Sequence, residues 1–129
     1  MKLSAKSRYA IRALLDLAIN CGGAPVSVKM IAERQKIPER YLENIFNKLK
    51  NGGILKSSQG KGGGFILNRK PEDLDLLSVI ETLEGSLKIA ECVGEQKCSS
   101  SECYTHDLWN RLNDKVKESF KKITLKDIY

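Results

Sequence analysis

Aromatic residues are scarce in this chain, at 6% of its 129 residues. That excludes the broad stacking platforms on which single-stranded nucleic acids are usually held. Long apolar runs are missing too, and none approaches the roughly 18 consecutive residues of a membrane span. There is a single histidine, His106, and no catalytic constellation around it, so an enzyme is not expected. The glycine-rich stretch "GKGGG" lacks both the G-x-x-x-x-G-K-[ST] and the G-x-G-x-x-G patterns, with Phe65 standing where a glycine would be needed. It also lies between two strand-like runs rather than before a helix, which argues against a nucleotide-phosphate loop. The opening stretch, "MKLSAKSRYAIRALLDLAIN", sets arginines and an aspartate inside its apolar pattern, as a secretory signal would not. A cytoplasmic, nucleoid-associated protein without membrane contact is expected. Thiols there stay reduced, so clustered cysteines read as metal ligands or redox groups before disulfides.

What is present divides the chain in two. The net charge is +6, with a hydrophobic fraction of 41%. Residues 1–70 carry fourteen Lys/Arg against four Asp/Glu, whereas residues 71–129 carry eight against twelve. The first half therefore suits a polyanion, and the second half has another task.

In the basic half, Ile11, Leu14, Leu15 and Ala18 share one helical face, predicting an amphipathic helix over about residues 5–20. Cys21 continues that stripe and reads as a core thiol. Ser27 is a candidate N-cap for a second short helix. Pro38 reads as the first residue of a third, with Leu42, Ile45, Phe46 and Leu49 as its apolar stripe. "ILKSSQGKGGGFIL" follows as strand, glycine-rich tip and strand, with Lys56 and Lys61 expected at the tip. A helix-turn-helix followed by such a hairpin is a winged helix. Arg40, Tyr41, Glu43 and Asn44 lie near the start of the third helix. Arginine suits guanine, asparagine adenine, and glutamate the cytosine amino group. Together with Ser57, Gln59 and Lys61 of the wing they form the candidate contact set for double-stranded DNA.

In the second half Asp75 can cap a helix carrying Leu76, Leu77, Ile80 and Leu83, closed by Gly85. Leu108, Leu112, Val116 and Phe120 recur every four residues along a final helix of about 18 residues. Its apolar stripe suits a second copy of the chain, giving a homodimer on a pseudo-palindromic operator. The expected fold is thus mainly α with a small β-hairpin. Residues 1–70 form the winged helix-turn-helix region. Residues 71–129 form a linker helix, a ligand loop (92–106) and a dimerisation helix.

The loop "CVGEQKCSSSECYTH" has the pattern C-x5-C-x4-C-x2-H, formed by Cys92, Cys98, Cys103 and His106. Structural zinc sites usually pair their ligands more tightly than the first gap here. Three thiolates and an imidazole can also hold an iron–sulfur cluster, whose two irons spread the ligands apart. A regulatory thiol switch is a third reading. Spacing alone leaves all three open.

The stretches "KSRYAIRALLDLA", "IPERYLENIFNKLKNGGILKSSQGKGGGFILNR", "LLSVIETLEG", "CYTHDLW" and "ITLKDI" resemble the IscR-type iron–sulfur cluster-binding winged-helix transcription regulators of bacteria. The resemblance covers nearly the whole chain. Relatives that sense nitric oxide share three spaced cysteines but generally not the C-x2-H-x2-L-W signature. The resemblance implies a homodimer that binds a 2Fe–2S cluster through Cys92, Cys98, Cys103 and His106. It further implies cluster-dependent DNA binding that controls iron–sulfur biogenesis genes; the alternative on the same scaffold is a zinc-, thiol- or nitric oxide-responsive regulator. Two departures stand out. The Cys98–Cys103 gap is one residue shorter than in the best-known members, and Gln59 replaces the arginine many members carry in the wing.

Overall fold

Local signals start the first four α-helices of the computed structural model, which describes residues 2–94 and 103–129. Ser4 caps α1 (Ala5–Asn20), its hydroxyl accepting from the Ser7 backbone N–H at 3.2 Å. Ser27 does the same for α2 (Val28–Gln35), accepting from Met30 N–H at 3.2 Å. The third helix, α3 (Glu39–Asn51), begins one residue after Pro38, whose ψ of 128° keeps it outside the helix. Proline has no N–H to leave unsatisfied there, so it closes the turn without belonging to the helix. Asp75 caps α4 (Leu76–Glu84), accepting from Ser78 N–H at 2.8 Å, and Gly85 ends it at φ 81°.

The hairpin pairs β1 (Leu55–Ser58) with β2 (Gly64–Leu67) in antiparallel register, Leu55 opposite Leu67 and Ser58 opposite Gly64. Lys61 lies in the tip, but Lys56, expected there too, sits within β1 opposite Ile66. A further pairing holds the wing to the body. Val26 N–H donates to Phe65 O at 3.0 Å and Phe65 N–H donates to Val26 O at 2.8 Å, just before α2. Gly64 permits this approach, since a Cβ there would stand 2.2 Å from Val26 O. Phe65 completes the joint by meeting Phe46 edge-on, with ring centroids 5.2 Å apart.

The core is one continuous cluster. Leu14 of α1, Ile31 of α2, Leu42, Ile45, Phe46 and Leu49 of α3, and Ile54 and Leu55 at the wing are all buried. Leu74, Val79 and Leu83 join them, and so does Leu125 from a short 3-10 turn (Leu125–Ile128) near the end of the chain. Leu125 N–H donates to Leu74 O and Leu76 N–H donates to Ile123 O, each at 2.9 Å. These bonds carry the chain back from the long helix α5 (His106–Lys122) to the winged-helix body. The observed architecture is a mainly helical winged helix with a two-stranded wing and a long final helix. Among the described residues no helix is long and apolar enough to cross a membrane.

Cys21 differs from the expected core thiol. It sits half-buried at the C-terminal cap of α1, packed on the edge of the core. Burial pushes its pKa up, and the pull of Arg34 in the other direction is weaker. Such a thiol is less nucleophilic than usual. Nearby Asp16 is buried at 3% exposure but satisfied, accepting from Arg34 Nε at 3.2 Å and from Gln35 Nε2 at 2.7 Å.

Candidate functional site

Two regions collect the residues singled out by the sequence. On the first, the buried stripe of α3 turns Arg40, Glu43 and Asn44 outward, and all three are exposed. Tyr41 is half-buried because its ring meets Tyr9 of α1 edge-on, with centroids 6.0 Å apart. Its ring thus helps fix the angle between α1 and α3, leaving only part of it for a ligand. Ser57, Gln59 and Lys61 are exposed on the wing. The third helix and the wing together therefore present polar side chains suited to base edges and phosphates.

Sequence reasoning missed a contributor to this face. Lys6 of α1 and Lys48 of α3 line the same shallow hollow as Tyr41 and Asn44. The Lys6 ammonium beside Lys48 pushes the Lys48 pKa down. Two like charges held side by side are unfavourable until an anion lies between them. Neither lysine belonged to an obvious basic run, and only the crossing of α1 and α3 brings them together.

The second region is built along one face of α5. His106, Asn110, Asn113 and Lys117 lie at i, i+4, i+7 and i+11, and thus stack on one side. That side binds the segment leading out of α4. Lys117 Nζ donates to Ser86 Oγ at 3.0 Å and pairs with Glu81 Oε2 at 3.3 Å. Asn113 Oδ1 accepts from Ile89 N–H at 2.9 Å, while its Nδ2 donates to Leu87 O at 3.1 Å. Asn110 Oδ1 accepts from Gly94 N–H at 3.2 Å, and its Nδ2 lies 3.1 Å from His106 Nε2. The arm that carries Cys92 is thereby docked beside the first turn of α5, where His106 is the first helical residue.

Cys92 is a free thiol and half-buried. Cys103 is also half-buried and precedes α5, its Sγ 3.5 Å from Thr105 Oγ1. Cys98 lies outside the described residues. Among the described residues no three His, Cys, Asp or Glu side chains are gathered closely enough to hold a metal ion. The donor chemistry still fits a soft metal or cluster: two thiols and an imidazole come from the two ends of one loop, and the hydrogen bonds of Asn110 join those ends.

The apolar face of α5 is partly uncovered. Leu108 and Leu112 are 47% and 42% exposed, whereas Val116 and Phe120 are half-buried. A four-residue spacing drifts about 40° around a helix at each step. The stripe therefore rotates from solvent at Leu108 toward the body at Phe120.

The likeness to known proteins extends across both regions. The family profile described as Rrf2, iron-dependent transcriptional regulator, matches residues 3–129. The HTH-type transcriptional regulator IscR of Pectobacterium atrosepticum is 35% identical over 129 residues, covering 99% of this chain and 79% of its own. Among solved structures, T. potens IscR is similar with a TM-score of 0.79 at 38% identity, covering 99% of this chain and 85% of the other. CymR, the global cysteine regulator of B. subtilis, is similar with a TM-score of 0.81 at 33% identity, covering 99% and 95%. These relatives regulate transcription and are not enzymes. With the winged helix, its outward polar face and a profile match over almost the whole length, the chain belongs to the Rrf2 family of transcriptional regulators.

Proposed function

We propose that this regulator senses iron–sulfur status through a 2Fe–2S cluster held by Cys92, Cys98, Cys103 and His106, and controls iron–sulfur biogenesis genes. The observation that carries the reading is the docking of the Cys92 arm against the start of α5, where His106 stands. Support also comes from the likeness to regulators named IscR. When bound, such a cluster would supply an iron-dependent, redox-sensitive cross-link between the two ends of the loop.

The chain's own residues suggest how the loop reaches DNA. The polar face of α5 grips the segment after α4, and α4 packs on α3. A change in how the loop arm seats on α5 thus bears on the helix that presents Arg40, Tyr41, Glu43 and Asn44. Residues 1–70 form the DNA-binding region in this reading, with Ser57, Gln59 and Lys61 contributing from the wing. Residues 71–129 form the sensing and dimerising region. Leu108 and Leu112, continued by the half-buried Val116 and Phe120 where the stripe turns toward the body, form the interface with a second copy. Two recognition helices then meet half-sites of a pseudo-palindromic operator about 34–36 Å apart. Differential stability of a few kcal/mol between two arrangements of the pair is enough for a ten- to hundredfold change in affinity. A cytoplasmic, nucleoid-associated setting goes with this reading.

The test is anaerobic purification followed by an optical spectrum and by iron, sulfide and zinc assays, repeated on His106→Ala. A red-brown protein with about two irons and two sulfides per chain, weakened by the substitution, supports the cluster reading. A second reading, thiol sensing, is favoured by the free thiol of Cys92 and by the likeness to the cysteine regulator CymR. A protein that stays colourless and zinc-free after reconstitution, yet changes DNA affinity on oxidation, selects it. Zinc bound in place of iron would instead point to a zinc-responsive regulator.

A further inference from the structure

The hydrogen bonds of Asn110 fix the state of the histidine it touches. A backbone N–H can only donate, so the Asn110 atom 3.2 Å from Gly94 N is its carbonyl oxygen. The amide nitrogen is then the atom 3.1 Å from His106 Nε2, and an amide nitrogen can only donate. His106 Nε2 therefore accepts, and the neutral ring carries its proton on Nδ1. In that tautomer the lone pair available to a metal is the one on Nε2, and Asn110 occupies it.

We propose that Asn110 is a latch that holds Gly94, at the loop end of the Cys92 arm, to α5 only while His106 holds no metal. This rests on the reading of His106 as a ligand. Ligation through Nε2 displaces the Asn110 amide directly. Ligation through Nδ1 moves the ring proton to Nε2, where it opposes the amide N–H, and the amide must turn over. Turning over withdraws Oδ1 from Gly94. On either route the clasp between Gly94, Asn110 and His106 is undone by metal binding.

The latch is confined to the loop end of the arm. One turn further along α5, Asn113 keeps Leu87 and Ile89 in place with two bonds that involve no ligand. Val93 is buried, so the arm stays seated up to that point. Release therefore acts on Gly94. Asn110 itself is half-buried on the helix surface, so its replacement by alanine should leave the fold intact.

The experiment uses the metal-free full chain and Co(II) as probe, with wild type, Asn110→Ala and His106→Ala compared. Imidazole nitrogen NMR of wild type should place the proton on Nδ1 with Nε2 as acceptor. In Asn110→Ala the Gly94 amide should exchange faster, and Co(II) should bind roughly two- to tenfold tighter, as expected for removing a competing hydrogen bond. His106→Ala should bind Co(II) much more weakly. A ring protonated on Nε2 in the metal-free wild type overturns the latch. Equal Co(II) affinity in wild type and Asn110→Ala, with His106→Ala weakened, overturns the latch but leaves His106 a ligand. Equal affinity in all three chains overturns both.

Discussion

Asn113 Nδ2 donates to Leu87 O at 3.1 Å, fixing the register of the arm that carries Cys92 against α5. The same side chain takes Ile89 N–H on its oxygen, and at 2% exposure it is sealed from water. An apolar replacement leaves a buried carbonyl and a half-buried N–H without partners, the first worth about 1–3 kcal/mol and the second less. We expect Asn113→Leu to lower stability by about 2–4 kcal/mol, measured by urea unfolding of the metal-free chain. A loss below about 0.5 kcal/mol would show that water reaches these groups.

Lys61, Lys6 and Lys48 should act through phosphates. Replacing any one by alanine should lower the slope of log affinity against log salt by about one without altering sequence preference. Lys48 adds a proton signature. Its folded pKa is lowered because Lys6 lies beside it, so an intervening phosphate should raise it again. DNA binding should then take up protons at alkaline pH, and affinity should fall as pH rises through the lowered pKa. Lys6→Ala should abolish that uptake, as read by titration in buffers of different ionisation enthalpy.

Glu43 is exposed on α3 beside Arg40 and Asn44. As a carboxylate it repels phosphate and can accept from a cytosine amino group. Glu43→Ala should change preference at one base position in a binding-site selection. A uniform change across all sequences would place Glu43 outside the base contacts.

The exposed part of the α5 stripe should hold two copies together. Leu112→Glu should yield monomers with unchanged helical content, measured by sedimentation and circular dichroism. The same substitution at Phe120 should lower stability as well, because that side chain is half-buried against its own chain.

An imidazole ligand can protonate and leave, whereas a thiolate is held more firmly. His106→Cys should therefore make the cluster more persistent under oxygen. Equal bleaching rates in the two proteins would remove the argument that histidine was placed there for lability.

The helices, their caps and the wing were legible in the sequence because each depends on neighbours within about four positions. Ser27 and Asp75 cap the residue three places on, and the stripe of Leu42, Ile45, Phe46 and Leu49 is buried as its spacing requires. The outward placement of Arg40, Glu43 and Asn44 follows from that same stripe.

Tertiary structure decided what joins distant segments. It set Phe65 against Val26, returned Leu125 to the core, placed Lys6 beside Lys48, and turned Val116 and Phe120 toward the body. It also gave Asn110 and Asn113, which look like ordinary polar residues of a surface helix, the task of gripping a segment 16 and 24 residues away. Periodicity and capping are local consequences of backbone geometry, so they are written along the chain. A hydrogen bond to another segment's backbone leaves no such trace, since any residue offers the same N–H and C=O.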